Sequence, residues 1–338
     1  MEFKLPKYLR VRDAILADIR KGRLTPGDKL PTRNALMRSY EVSRSTVEAA
    51  LSELIRSSVL TTSKRGGTIV TDTQPSLCVA VVSNMDEEDL KSSRGEPHGA
   101  LMLSRILAAS PKCDLTFIKS ESLSGKIKTL ATYDAIVWVQ PSNASMSSIS
   151  QFEHKALVVN RYPEGMSFVS TNHRIAVKEL SLYTFEKSGN DCQAFYIEHE
   201  RDGKSFVQDE RREGFIEACA TLGIFYRICE LPANHEGAIQ ALARLTLDTK
   251  RKVVIVSGTC IFSGAVLLTA EKHGFTLNKN FFYADFDNEH SLARTGRQMT
   301  TVIQDYSGMG TAVVKALDLI ATGERATIYV PHHIEKGF

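Results

Sequence analysis

The sequence predicts an α/β protein in two parts. A small helical unit with a two-stranded wing fills residues 1–71, a short linker covers 72–76, and two lobes of parallel α/β structure occupy 77–338. Three observations predict this. The apolar spacing is helical up to about residue 56, then becomes short strands alternating with helices from residue 77 onward. Two β-rich runs, Val59-Leu60-Thr61-Thr62 and Gly67-Thr68-Ile69-Val70, flank a basic, glycine-containing tip, Ser63-Lys64-Arg65-Gly66. The charge is also split by position. Residues 1–70 carry 14 Lys and Arg against 7 Asp and Glu, and the remainder carries 28 against 32, so positive charge sits at the end expected to meet a polyanion.

In chain order, Tyr8, Val11, Ile15, Leu16 and Ile19 recur at helical spacing until Gly22, which predicts a packing helix over 7–22. Lys7, Tyr8 and Arg12 on it are either solvated surface groups or phosphate contacts. Thr32 is placed to cap a short helix with an apolar face of Ala35, Leu36 and Tyr40, and Glu41-Val42-Ser43 makes the turn after it. Ser43 caps a second helix whose inner side is Val47, Ala50, Leu51, Leu54 and Ile55, leaving Arg44, Ser45, Thr46 and Glu48 outward at its start. Hydroxyls and a guanidinium in the first turn suit a DNA major groove. An ordinary helical hairpin with a solvated face fits the same residues until the wing is added.

The runs Lys21 to Thr32, Glu41-Val42-Ser43-Arg44-Ser45-Thr46-Val47 and Arg65-Gly66-Gly67-Thr68-Ile69-Val70 together resemble the winged helix-turn-helix of the GntR family of bacterial transcriptional regulators. The resemblance covers roughly the first seventy residues. It implies DNA contacts at Arg44, Ser45 and Thr46, and a wing tip at Lys64, Arg65 and Gly66 that approaches the minor groove. Two positions depart from the family. Asn34 stands where an arginine is usual, with Arg33 one place earlier as a displaced contact, and Glu48 stands where a basic residue is frequent.

Asp72-Thr73-Gln74-Pro75-Ser76 breaks all periodicity and reads as the linker. Beyond it, strands are predicted at 77–82, 115–119, 135–139, 156–160, 168–170, 194–198, 227–230, 253–257, 281–284, 301–303 and 326–330. Helices are predicted at 97–109, 122–131, 172–187, 209–222, 236–245, 261–273 and 306–322. Continuous apolar strands alternating with helices mean parallel sheets covered on both faces. So many strands call for two lobes, with a crossover near residue 171 and a return after 301.

Val159-Asn160-Arg161, Thr171-Asn172, Arg211-Arg212-Glu213-Gly214-Phe215, Asp285-Phe286-Asp287-Asn288 and Thr300-Thr301-Val302-Ile303-Gln304 resemble, in their order, the ligand-binding domain of the LacI family, a periplasmic-binding-like fold. A winged helix of GntR type joined to such a domain is similar to bacterial arabinose repressors. In open α/β sheets ligands bind outside the carboxyl ends of strands. Those ends carry Asn84, Asn160, Arg161, Ser257 and Asp287. Arg211, three residues before Gly214, matches the family arginine that reaches the ligand, and Asp287 matches the family carboxylate. An ion pair with no ligand is the alternative for these two. Where the family shows Asn-Asp after the strand ending at Val256, this chain has Gly258-Thr259. Trp138, the only tryptophan, lies inside an apolar strand and reads as core.

Six scattered cysteines hold no CxxC pair and read as reduced core thiols. No apolar run reaches eighteen residues and no signal-peptide pattern is present, so a cytoplasmic protein without membrane contact is expected. HExxH, the P-loop and GxSxG are absent, and the histidines have no metal-ligand spacing. His332-His333 reads as surface. The expectation is a homodimeric, sequence-specific regulator, a repressor that is not an enzyme. It has no cofactor and no metal, and it binds double-stranded operator DNA and a sugar-like effector between its lobes.

Overall fold

Val11, Ile15 and Leu16 share one side of α1 (Lys7–Arg20), and that side meets Val47, Ala50, Leu51 and Leu54 of α3 (Arg44–Arg56) in a small buried core. Between them α2 (Arg33–Tyr40) begins where the Thr32 side chain accepts from Ala35 N, and ends at Glu41, whose left-handed backbone starts the turn. Ser43 accepts from Thr46 N to open α3. The two caps satisfy backbone donors that a helix start leaves unpaired. The wing is β1 (Leu60–Thr62) paired antiparallel with β2 (Thr68–Val70), in the register Leu60 to Val70.

The chain is described by a computed structural model over residues 6–63, 66–72, 76–84, 97–109, 113–123, 125, 127–200, 206–232, 234–289, 291 and 296–337. Lys64 and Arg65 of the expected wing tip, and Thr73, Gln74 and Pro75 of the expected linker, lie outside the described residues. The chain divides into two compact units, residues 1–170 with 306–328, and residues 171–305 with 329–338.

The first unit holds the winged helix and a six-stranded sheet of β3 (Leu77–Ser83), β4 (Cys113–Lys119), β5 (Ala135–Val139), β6 (Ala156–Val159), β7 (Ser167–Ser170) and β13 (Thr327–Tyr329). Their order is β4-β3-β5-β6-β7-β13, and β4 through β7 pair in parallel. Strands β5, β6 and β7 are buried along their whole length, as a parallel sheet covered on both faces requires. Trp138 is core, as expected; among the described residues its indole N–H has no hydrogen-bond partner. The cover includes α4 (Pro97–Ala109) and α9 (Tyr306–Ala321). These two approach so closely that a Cβ on Gly310 would lie 2.4 Å from the Arg105 Cβ. The helix expected over 122–131 is instead two 3-10 turns, Ser120–Leu123 and Ile127–Thr132, separated by Gly125 at φ 74°.

Helix α1 belongs to both cores of this unit. Leu9 is buried with Ala80, Trp138 and Phe152 of the lobe, while Val11 and Ile15 stay with the winged helix. Arg12 is therefore neither a solvated charge nor a phosphate contact. It is buried, pairs with Asp13, Glu53 and Asp134, and donates to the Thr132 carbonyl at 2.9 Å. Lys155, 2% exposed, donates from Nζ to the carbonyls of Ala131 and Tyr133, both at 2.7 Å. Burial pulls its ammonium down to about 8.

The second unit repeats the scheme with β8 (Cys192–His199), β9 (Tyr226–Leu231), β10 (Lys252–Ser257), β11 (Phe281–Phe286), β12 (Thr300–Gln304) and β14 (His332–Glu335), ordered β9-β8-β10-β11-β12-β14. The first five are parallel and β14 is antiparallel to β12. His332-His333 lies at the surface, as expected, on this edge strand, with His333 exposed and His332 Nε2 3.0 Å from Glu179 Oε2. Packed on this sheet are α5 (His173–Ser188), α6 (Phe206–Leu222), α7 (His235–Ala243) and α8 (Ser263–Lys272). All six cysteines are free, but only Cys192 and Cys219 are buried and Cys78 is exposed, which corrects the reading of all six as core. Burial pushes the Cys219 thiol up to about 12, which keeps it protonated and inert.

Candidate functional site

Both sheets reverse strand order between their first strand and its neighbour, at β3/β5 and at β8/β10, which is where open α/β sheets bind ligands. In the second unit the reversal is marked by Arg211. Gly214 explains its position: a Cβ there would lie 2.2 Å from the Arg174 carbonyl oxygen, so only glycine lets α6 approach α5 this closely. One turn earlier Arg211 is then brought against His173, the first residue of α5, at 3.4 Å. Its Nη1 donates to the Gly258 carbonyl at 2.7 Å, its guanidinium lies 3.6 Å from the centre of the Phe286 ring, and Nη2 is 3.7 Å from Asp287 Oδ2.

Asp287 is a non-glycine residue at φ 62°, just past the end of β11. That left-handed turn separates it from Asp285, which two-residue periodicity would place on the same side of the strand. Asp285 is fully buried and accepts from Ser263 Oγ and Asn288 Nδ2, both at 2.7 Å. Burial pushes its carboxyl above the usual carboxylate range. Asp287 instead keeps its Oδ2 toward Arg211 and accepts there from Gln304 Nε2 at 2.8 Å. Gln304, the last residue of β12, was visible in the sequence only as the end of a motif.

Ser257 is fully buried, and its hydroxyl donates to the Thr259 carbonyl at 2.7 Å, shaping the turn that carries Gly258. A Cβ on Gly258 would lie 2.5 Å from the Tyr196 hydroxyl oxygen. The buried tyrosine therefore occupies the space a side chain would need, which accounts for the glycine at 258. Beside this centre Glu198, 1% exposed, is ion-paired with Arg212.

In the first unit the strand ends carry Asn84, Gln140, Asn160 and Arg161. Asn84 is exposed and accepts from Ser120 Oγ at 2.7 Å. Gln140 and Asn160 both sit at positive φ, 48° and 60°. Asn160 is 2% exposed, and among the described residues its Oδ1 has no hydrogen-bond partner. A buried acceptor left in this state calls for a physical explanation, and it lies at a strand end, where open α/β sheets bind ligands. Arg161 is half-buried and donates from Nη1 to the Asn160 carbonyl at 2.6 Å.

On the winged helix Arg44 and Ser45 are exposed and Thr46 is half-buried, all in the first turn of α3. Ser45 Oγ and Thr46 Oγ1 lie 3.0 and 2.8 Å from Ser43 Oγ. Asn34 is exposed on α2, and Gly66 takes φ 73° in the turn of the wing. The two departures from the family meet each other: Arg33 Nε lies 3.1 Å from Glu48 Oε1, and Arg33 Nη1 donates to Thr68 Oγ1 of the wing at 3.3 Å.

The chain thus joins a winged helix-turn-helix to two parallel α/β sheets that carry polar residues at their strand ends. Residues 7–70 match the family described as "Bacterial regulatory proteins, gntR family", so this stretch is a GntR-type DNA-binding domain. Among curated relatives, the mannosyl-D-glycerate transport/metabolism system repressor MngR of Escherichia coli (strain K12) is 31% identical over 104 residues, covering 31% of this chain and 43% of that one. The arabinose metabolism transcriptional repressor of Geobacillus stearothermophilus is 36% identical over 74 residues, 22% of this chain and 20% of that one. This chain spans about half the length of MngR, and less of the arabinose repressor. Among solved structures, a transcriptional regulator CelR in complex with cellobiose superposes with a TM-score of 0.61 at 16% identity, over 91% of this chain and 99% of that one. At such identity the likeness shows the fold alone. Among the described residues no helix is long and apolar enough to cross a membrane.

Proposed function

We propose that this chain is a sequence-specific transcriptional repressor whose operator affinity is changed by a sugar or sugar derivative held at the Arg211–Asp287 centre. One observation carries the reading. A GntR-type DNA-binding domain shares a chain with a stacked guanidinium whose carboxylate partner is 3.7 Å away, loose enough for polyol hydroxyls to take over. The relatives support it, since their names tie them to mannosylglycerate and arabinose, and the CelR structure holds cellobiose. At the strand ends of the first unit Asn84, Asn160 and Arg161 are the residues offered to a polar ligand, and in the second unit Ser257 acts by fixing the turn that presents the Gly258 carbonyl. Arg44, Ser45 and Thr46, with Asn34 and the wing tip at Lys64, Arg65 and Gly66, meet the DNA. The protein acts in the cytoplasm as a homodimer on a two-fold operator, because one winged helix reads too few base pairs for useful affinity.

The test is a gel-shift titration with the DNA upstream of the protein's own gene, at several salt concentrations and with arabinose, cellobiose, trehalose and mannosylglycerate in turn. Salt-sensitive binding, loosened roughly 5- to 150-fold by one of the sugars, is the expected outcome. Failure of every sugar, or no salt-sensitive complex, ends the reading.

A further inference from the structure

Glu48 sits one turn after Arg44 on the outward side of the recognition helix, where a carboxylate approaching DNA would be repelled by phosphate. It does not stand alone. Arg33, from the first turn of α2, reaches across to it, and both side chains stay substantially exposed, at 34% and 42%. The contact uses Nε of the guanidinium and Oε1 of the carboxylate; Nη1 goes to Thr68, which ties the pair to the wing. Among the described residues Glu48 Oε2 and Arg33 Nη2 have no partner, so this partly exposed pair keeps a carboxylate acceptor and a two-proton donor uncommitted.

That pattern complements one base-pair edge. In the major groove a cytosine–guanine pair shows the cytosine N4–H donor beside the guanine O6 and N7 acceptors. We propose that the Arg33–Glu48 pair reads a C·G base pair in each operator half-site, Glu48 Oε2 accepting from cytosine N4 and Arg33 Nη2 donating to the guanine edge. The pair is nearly neutral, so it adds specificity without adding to the general attraction for DNA. The proposal rests on the reading of α3 as a DNA-recognition helix.

The test is selection of binding sites from random duplex DNA with the full-length protein and with Glu48→Ala, Glu48→Gln and Arg33→Gln. The wild type is expected to enrich a site with a C·G pair at one fixed position per half-site. Glu48→Ala flattens that position by roughly 5- to 150-fold in relative affinity and leaves the position read by Arg44 untouched. Glu48→Gln, nearly isosteric, moves the preference toward A·T, because an amide pairs with the adenine N6 and N7. Both Glu48 variants also bind arbitrary DNA more tightly with a steeper salt dependence, by about one phosphate contact, because Arg33 is released. Arg33→Gln loses the same base preference and weakens binding to every sequence. A Glu48→Ala selection identical to that of the wild type overturns the proposal alone. A wild type that enriches no sequence at all overturns the DNA-recognition reading, and the proposal with it.

Discussion

Lys155 in the first unit and Arg211 in the second are both cations set at strand ends of a parallel sheet, at opposite ends of the strands. Lys155 precedes β6 and is closed off by two carbonyls at 2.7 Å, with Asp13 and Asp134 adding attraction. Arg211 stands at the carboxyl ends of β10 and β11 with one tight bond, to Gly258, and looser contacts at 3.4 to 3.7 Å to His173 and Asp287. The Lys155 ammonium spends two of its donors on short bonds to carbonyls, whereas the Arg211 guanidinium, lying over an aromatic ring, spends one and holds the rest loosely. The difference shows how to tell a structural buried charge from an exchangeable one: by whether short bonds use up its donors, since both are buried or nearly so.

The largest expected effect falls on Arg211. Changing it to Ala should cost about 2 to 5 kcal/mol of effector affinity, a hundredfold or more for much of that range, with operator binding unchanged. Lys155→Met should leave effector affinity within about twofold. Calorimetry with the sugar that moves the gel shift measures both, and equal losses in the two variants would erase the contrast.

Next is pH. The Lys155 ammonium titrates near 8 in the folded chain and near 10.5 when unfolded, so between those values the unfolded chain binds more protons. The cost of burying the charge is fully present below pH 8, and stability should rise by roughly 3 kcal/mol as pH climbs toward 10.5. Urea unfolding of wild type and Lys155→Met from pH 7 to 10 isolates this from other groups. A difference between the two curves that stays constant with pH would mean the lysine is not titrating there.

A smaller effect is expected at Gly258. The Ala variant forces a Cβ against the Tyr196 hydroxyl oxygen at 2.5 Å and should destabilise the protein by about 1 to 3 kcal/mol. Tyr196→Phe in the same chain should recover part of it, giving a coupling of about 0.5 kcal/mol or more in a double-mutant cycle. Simple additivity would locate the strain elsewhere.

Much of this was legible in the sequence, because local rules govern it. The caps at Thr32 and Ser43, the hairpin register and the alternation of buried strands with helices depend on residues a few places apart. The Arg211 centre was legible as residue types, through Arg211, Gly214 and Asp287. The left-handed turn at Asp287, the role of Gln304 and the space taken by Tyr196 were not, since each is set by contacts between distant segments. Arg33 and Glu48 read as two unrelated departures for the same reason: fifteen residues separate them, and only the packing of α2 on α3 makes them a pair. The return of His332–Glu335 beside β12 was hidden because a four-residue edge strand carries little periodic signal.

Leu9 gives helix α1 a meaning for how such proteins can be recombined. A gene fusion cut between residues 71 and 77 transplants a DNA-reading head that carries, on its first helix, a leucine and an arginine fitted to one particular lobe. On a foreign lobe that leucine meets water or a mismatched surface, forfeiting about 1.5 to 3 kcal/mol, and the arginine loses its distant carbonyl. A transplant of this head that keeps those contacts has to bring the lobe surface around Asp134 with it, since Arg12 and Arg20 both pair there.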